Sequence, residues 1–134
     1  MASNVLIGLK PDADNRGLLT LAAELAPAPG TVHLASFVNV GTADDEVDRL
    51  RQVEQQLEKQ GEQLRGKGYQ VETHAQINSL SAGANLARLA DDVTADLLVI
   101  GIVKRSRVGK ALLGSDAQTA ILTASCPVVS VRVG

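Results

Sequence analysis

The feature of this sequence that most constrains its fold is a pair of short apolar runs without polar alternation. One run covers residues 97–100, Leu-Leu-Val-Ile, and the other covers residues 4–9, Asn-Val-Leu-Ile-Gly-Leu. Runs of this kind are typical of strands that are buried on both faces of a parallel sheet. Both segments are therefore predicted to be central strands, and Gly101 is predicted to end the run at 97–100.

Strand-like and helical segments alternate along the whole chain. The predicted elements are strand 4–9, helix 16–26, strand 32–38, helix 43–66, strand 69–77, helix 82–93, strand 97–100, helix 115–124 and strand 126–132. Strands that alternate with helices favour parallel strands with right-handed crossovers, which place helices on both faces of the sheet. The sequence therefore predicts an α/β fold, a three-layer open parallel five-stranded sheet. Its 134 residues suffice for a single domain spanning 1–134.

The composition argues against two classes of function. The formal net charge is −2, and Phe37 and Tyr69 are the only Phe, Trp or Tyr residues. General nucleic-acid binders have basic surfaces, and single-strand binders need aromatic stacking platforms, so we expect no nucleic-acid partner. No apolar run approaches the length of a membrane span, and no signal-peptide pattern precedes the first strand. We therefore expect a cytoplasmic protein without a membrane partner.

The loop that follows residue 100 is rich in positive charge. It contains Lys104, Arg105, Arg107 and Lys110 but no acidic residue, and Gly114-Ser115 then opens a helix. A serine that caps a helix forms, together with the helix dipole, an anion site. The pattern indicates a phosphate-binding loop, with an ordinary solvated connection as the alternative. It matches neither a P-loop nor the dinucleotide-binding Gly-x-Gly-x-x-Gly motif.

Few residues of the chain are suited to catalysis or metal binding. Cys126 is the only cysteine, so a cysteine-based metal site would lack ligands. His33 and His74 lie in strand-like runs with no carboxylate at helical spacing, and structural roles are favoured for both. Asp12 and Asp14 are interpreted as turn or capping residues. The sequence predicts no catalytic and no metal-binding residues, and enzymatic chemistry has little support.

The spacing of Gly101 and Gly114-Ser115, followed by a helix and a terminal strand that begins Cys-Pro-Val, resembles the universal stress protein family. The signature of that family is Gly-x2-Gly-x9-Gly-Ser/Thr, and the resemblance covers essentially the whole chain. It implies the strand order 3-2-1-4-5, in which strands 1 and 4 are neighbours. Ligands of such sheets bind in the crevice at the carboxyl ends of the strands that flank this switch point. The crevice would then lie between Lys10 and Gly101.

The resemblance also implies a ligand and the residues that would hold it. In nucleotide-binding members ATP lies across the switch point, held by an aspartate, three glycines and a hydroxyl. These positions fall on Lys10, Gly101, Lys104, Gly114 and Ser115 of this chain. An ammonium group has three donors and no acceptor, so Lys10 replaces the partner of the adenosine, while Lys104, Arg105 and Lys110 attract phosphate through side chains. The predicted ligand is ATP or another phosphate-bearing anion in a degenerate crevice.

The sequence of the last strand predicts how two copies of the chain associate. Val128, Val129 and Val131 form an apolar edge of high β-propensity, which recruits another strand, and family members commonly dimerise there. The leading hypothesis is a homodimeric, cytoplasmic sensor or adaptor of the universal stress type without turnover of its own. An ATP-binding, slowly hydrolysing universal stress protein is the alternative, and an electron-transfer flavoprotein-like domain is a third. The sequence indicates no protein partner other than a second copy of the same chain.

Overall fold

The computed structural model describes residues 3–11, 13–39, 43–78, 81–103 and 114–133. Its elements are β1 (Ser3–Gly8), α1 (Arg16–Leu25), β2 (Gly30–Val38), α2 (Ala43–Arg65), β3 (Tyr69–Ile77), α3 (Ala82–Asp92), β4 (Leu97–Val103), α4 (Ser115–Thr123) and β5 (Val128–Val133). The five strands of the described chain form one sheet in the order β3-β2-β1-β4-β5, and each neighbouring pair is parallel. The predicted α/β class and strand order are confirmed.

The two uninterrupted apolar runs form the adjacent central strands β1 and β4. Leu6 pairs with Leu98, and both side chains are fully buried. One boundary prediction was wrong, because β4 does not end at Gly101. The strand continues to Val103, since Gly101 pairs with Val131 of the neighbouring strand β5. A glycine weakens a strand but does not end it when a partner strand remains beside it.

Alternation along the strands builds a core on each face of the sheet. On one face α1 and α2 cover Val5, Ile7, Leu34 and Val99. On the other face α3 and α4 cover Leu6, Ala35, Leu98 and Ile100. Helices thus lie on both faces, as predicted.

Helix α4 packs through small side chains. A Cβ atom at Gly83 of α3 would collide with the backbone carbonyl of Asp116, so the two helices are in close backbone contact. Ala120 is fully buried, whereas Ile121 is exposed and Leu122 is 81 % exposed. Apolar residues such as Ile121 and Leu122 are expected on the inner side of a helix, but here they face outward because the close contact leaves room only for small residues.

The long helix α2 is amphipathic. Its buried side presents Val53, Leu57 and Leu64 to the sheet. On its outer side the Glu58 carboxylate accepts hydrogen bonds from Arg65 (3.0 Å) and from the Thr73 hydroxyl (2.9 Å). Among the described residues, no helix combines the length and the apolar character needed to cross a bilayer.

Candidate functional site

A cavity of about 230 Å³ opens at the carboxyl ends of the central strands. The ends of β1, β2 and β4 and the first turns of α3 and α4 contribute to its wall. It is lined by Gly8, Leu9, Lys10, Pro11, Ala35, Phe37, Asn39, Asn78, Ala82, Leu86, Ile100, Gly101, Asp116 and Ala117. This is the switch-point crevice at which sheets of this kind bind ligands.

The backbone beside Lys10 is fixed by a buried hydrogen-bond network. The Leu9 N–H donates to the carbonyl of Ala35 (2.8 Å), and the buried Ser36 hydroxyl donates to the carbonyl of Leu9 (2.7 Å). The Asn15 side-chain amide donates to the carbonyl of Lys10 (3.3 Å). Lys10 is therefore an exposed side chain on a well-defined piece of backbone at the rim of the crevice.

The start of α4 forms another wall, but Ser115 does not cap this helix. Gly114 occupies the N-cap position without a side-chain cap, and Ser115 is the first helical residue. The Ser115 carbonyl accepts a hydrogen bond from the Thr119 hydroxyl (2.9 Å). The capping role expected for Ser115 is thus wrong. The first backbone N–H groups of α4 have no partner within the helix and lie next to the carboxylate of Asp116.

The structure brings only some of the predicted ligand-binding residues together. Lys10 and Gly101 line the same cavity, while Gly114 and Ser115 are exposed and directly precede its wall residues Asp116 and Ala117. The basic residues Lys104, Arg105 and Lys110 lie outside the described residues. Ligand binding at all of these positions stays a prediction.

Sequence reasoning missed a chain of three hydrogen-bonded asparagines, of which Asn39 and Asn78 line the cavity and Asn85 is buried behind them. Asn78 donates to the side-chain oxygen of Asn39 (3.1 Å), and Asn85 donates to that of Asn78 (2.6 Å). Asn39 and Asn78 follow Val38 and Ile77, which are paired in the register of β2 and β3. An asparagine directly after each of two adjacent parallel strands was the signal, because such positions meet at one edge of the sheet.

Asp14 has the local structural role that was expected for it. Its carboxylate accepts hydrogen bonds from the backbone N–H of Arg16 (3.1 Å) and from the guanidinium of Arg16 (3.0 and 2.9 Å). The side-chain hydrogen bond with Arg16 is the main reason that the pKa of Asp14 falls to about 2. Asp12 lies outside the described residues.

The two histidines lie apart from the crevice, in the middle of β2 and β3. Their imidazole rings are neighbours, with centroids 5.2 Å apart. Burial lowers the pKa of His33 and of His74, although the Glu72 carboxylate acts in the opposite direction. Both rings are therefore neutral at neutral pH.

Comparisons with known proteins agree with this architecture. A sequence model of the universal stress protein family matches residues 1–132. A curated universal stress protein of Mycolicibacterium smegmatis is 38% identical over 77 residues, a match that covers 50% of this chain and 59% of that protein. The chain thus matches only about three fifths of the length of that curated relative.

Solved structures share the fold over nearly the whole chain. The universal stress protein from Archaeoglobus fulgidus superposes with a TM-score of 0.75 at 23% identity, covering 97% of this chain and 98% of that one. A structure of the universal stress protein from the same organism in complex with dAMP gives a TM-score of 0.66 at 22% identity, covering 96% of each chain. With the family match over residues 1–132, this chain belongs to the universal stress protein family.

Proposed function

We propose that this chain is a homodimeric universal stress protein of the cytoplasm that binds a phosphate-bearing ligand in its crevice. It acts as a sensor or adaptor without turnover of its own. The observation that carries the proposal is the cavity at the switch point, which Lys10, Gly101 and the start of α4 border together. The dAMP complex of a structural neighbour with the same fold supports a nucleotide as the class of ligand.

The groups around the crevice favour a phosphate over the rest of a nucleotide. The N-terminus of α4 supplies backbone N–H groups and the positive end of a helix dipole for a phosphate, whereas Lys10 occupies the position that would face the adenosine. Asp116 in the first turn of that helix reduces the attraction for anions. We therefore expect an affinity that is modest and sensitive to salt.

Discrimination between bases is expected to be weak. A carboxylate in place of Lys10 would accept hydrogen bonds from ribose or adenine, whereas an ammonium group only donates. The amides of Asn39 and Asn78 already hydrogen-bond one another. The base and the ribose thus meet few groups that are arranged to recognise them.

Titration calorimetry tests this proposal. We expect ATP, GTP and tripolyphosphate to bind the unmodified chain with similar, salt-sensitive affinities. Lys10→Asp is expected to improve ATP binding selectively by roughly tenfold to a hundredfold, because a hydrogen bond that a site depends on contributes about 1–3 kcal/mol. Lys67→Asp is the matched control, since Lys67 is an exposed lysine between α2 and β3 at the opposite edge of the sheet.

Two outcomes would contradict the proposal. Submicromolar ATP binding that discriminates against GTP in the unmodified chain would favour an ATP-binding, slowly hydrolysing protein instead. Equal gains in ATP affinity for Lys10→Asp and Lys67→Asp would show that Lys10 does not contact the ligand.

The proposed dimer forms through the outer edge of β5. This strand ends the sheet, so within the described chain no strand pairs with its outer backbone groups. Val128 and Val131 pack against the two opposite cores, whereas the half-buried Val129 belongs to neither. The exposed Leu122 lies on α4, which contacts β5 and adds apolar surface. Twofold symmetry would pair two β5 strands in antiparallel orientation.

Sedimentation velocity tests the dimer. The unmodified chain is expected to be dimeric at micromolar concentration, and Val129→Lys is expected to be monomeric because the dimer would bury its charge. Val47→Lys, at an exposed valine of α2, is the control and should stay dimeric. A monomeric unmodified chain, or a Val129→Lys protein as dimeric as the control, would exclude this interface.

A further inference from the structure

Both histidines of the chain meet on one face of the sheet, although 41 residues separate them in sequence. The Nδ1 atom of His33 lies 3.0 Å from the Nε2 atom of His74. In the parallel register of β2 and β3, His33 pairs with Glu72, and His74 follows Glu72 by two positions. Because side chains alternate along a strand, Glu72 and His74 project from the same face.

The Glu72 carboxylate completes a group of three donors. Its Oε2 atom lies 3.2 Å from Nδ1 of His33, and the three ligand atoms lie within 4.8 Å of one another. Donors at zinc-ligand distances from a tetrahedral ion are roughly 3.3–3.5 Å apart. The separations of 3.0 Å and 3.2 Å from His33 are slightly shorter than this, and the separation of Glu72 from His74 is at most 4.8 Å, so an ion among the three atoms would require the exposed Glu72 carboxylate to move.

The three residues differ in their exposure to solvent. His33 is 4 % exposed, His74 is half-buried, and the side chain of Glu72 is 63 % exposed. The buried ring has little freedom to move, which orients its nitrogen toward the other two donors. The exposed carboxylate leaves an entry path from solvent.

The donor set selects a class of ion. Two imidazole nitrogens and one carboxylate suit zinc and its neighbours among the transition metals, whereas Mg²⁺ and Ca²⁺ prefer oxygen ligands. Such ions bind imidazole through a ring nitrogen that carries no proton. We propose that His33, Glu72 and His74 form a binding site for a divalent transition metal of the zinc class.

This site is separate from the crevice and goes beyond the function proposed for it. His33 lies five residues before the end of β2, which is roughly 16 Å along the strand. Helical spacing could not reveal the site, because two adjacent strands supply its ligands. Three protein ligands leave a fourth position for water or another ligand of the ion.

Zinc titration of the full chain, free of any histidine-containing tag, tests the proposal. Competition with a chromophoric chelator should give one saturable Zn²⁺ per chain. We expect the affinity to fall roughly a hundredfold or more in His74→Gln and about tenfold or more in Glu72→Gln, because even partners outside the metal's ligand set change affinity by about 10–100-fold. Glu24→Gln makes the same change at an exposed carboxylate of α1, on the other face of the sheet, and should leave the affinity unchanged.

Histidine-selective NMR gives a second readout that needs no variant. Because the chain has only two histidines, both imidazoles should shift together and stop shifting at one equivalent of Zn²⁺. Mg²⁺ at the same concentration should move neither. The proposal is wrong if Zn²⁺ binding is not saturable, if only one imidazole responds, or if Glu72→Gln binds as tightly as Glu24→Gln.

Discussion

Leu98→Ala is expected to lower the free energy of unfolding by about 2–5 kcal/mol. Leu98 lies in the central strand β4, is fully buried, and pairs with Leu6 of β1. Its truncation leaves a cavity between the sheet and the layer of α3 and α4. Domains of this size have a total stability of roughly 5–15 kcal/mol, so the loss is a large fraction. Urea denaturation monitored by circular dichroism measures the effect.

Glu54→Ala is the control for this substitution. Glu54 is an exposed acid of α2, and its replacement should stay within about 0.5 kcal/mol. Glu58 is unsuitable, because its carboxylate binds Arg65 and Thr73. The acidic residues of α2 are therefore not equivalent to one another. Similar urea midpoints for Leu98→Ala and Glu54→Ala would contradict the central placement of β4.

Gly83→Ala is expected to destabilise the protein, although alanine is the better helix former. At an exposed position inside a helix, replacing glycine by alanine raises stability by about 1 kcal/mol. At Gly83 the new methyl group would collide with the backbone carbonyl of Asp116, which no side-chain rotation can relieve. Helices α3 and α4 would have to separate, and overpacking of this kind costs about 1–3 kcal/mol.

Gly17→Ala is a control in which the same substitution should not lower the stability. A Cβ atom at Gly17 of α1 would meet no atom within 4 Å, so this variant should be neutral or more stable than the parent chain. Urea midpoints of the two variants, measured side by side, give the comparison. A stabilised Gly83→Ala protein would show that α3 and α4 do not touch at this point.

The arrangement of strands and helices could be predicted from sequence because local patterns specify it. Uninterrupted apolar runs identified β1 and β4, and the alternation of strand-like and helical segments indicated a parallel sheet with helices on both faces. The errors occurred where a distant element decides the outcome. Leu122 continues an apolar pattern, yet the contact of α4 with Gly83 turns the small residues inward. Gly101 resembles a strand end, yet β5 extends the pairing beyond it.

The candidate sites were less predictable because both combine residues from different strands. Lys10 and Gly101 were brought together only by the strand order that the family resemblance implied. The proximity of Asn39 and Asn78 could have been predicted only by applying the same strand order to β2 and β3. The contact between the two histidines could not be predicted either, because it depends on the register of β2 and β3.

The exposed rim of the crevice is distinct from the core, although the buried Ala35 and Ile100 belong to the core and also line the floor of the cavity. Lys10, Asn39 and Asp116 are exposed and lie beyond the ends of strands or in the first turn of a helix. Leu6 and Leu98, which hold the sheet together, lie deeper and do not line the cavity. Substitutions at exposed positions cost little stability. Ligand preference can therefore diverge between members of one family, or be redesigned, while the scaffold that carries it stays folded.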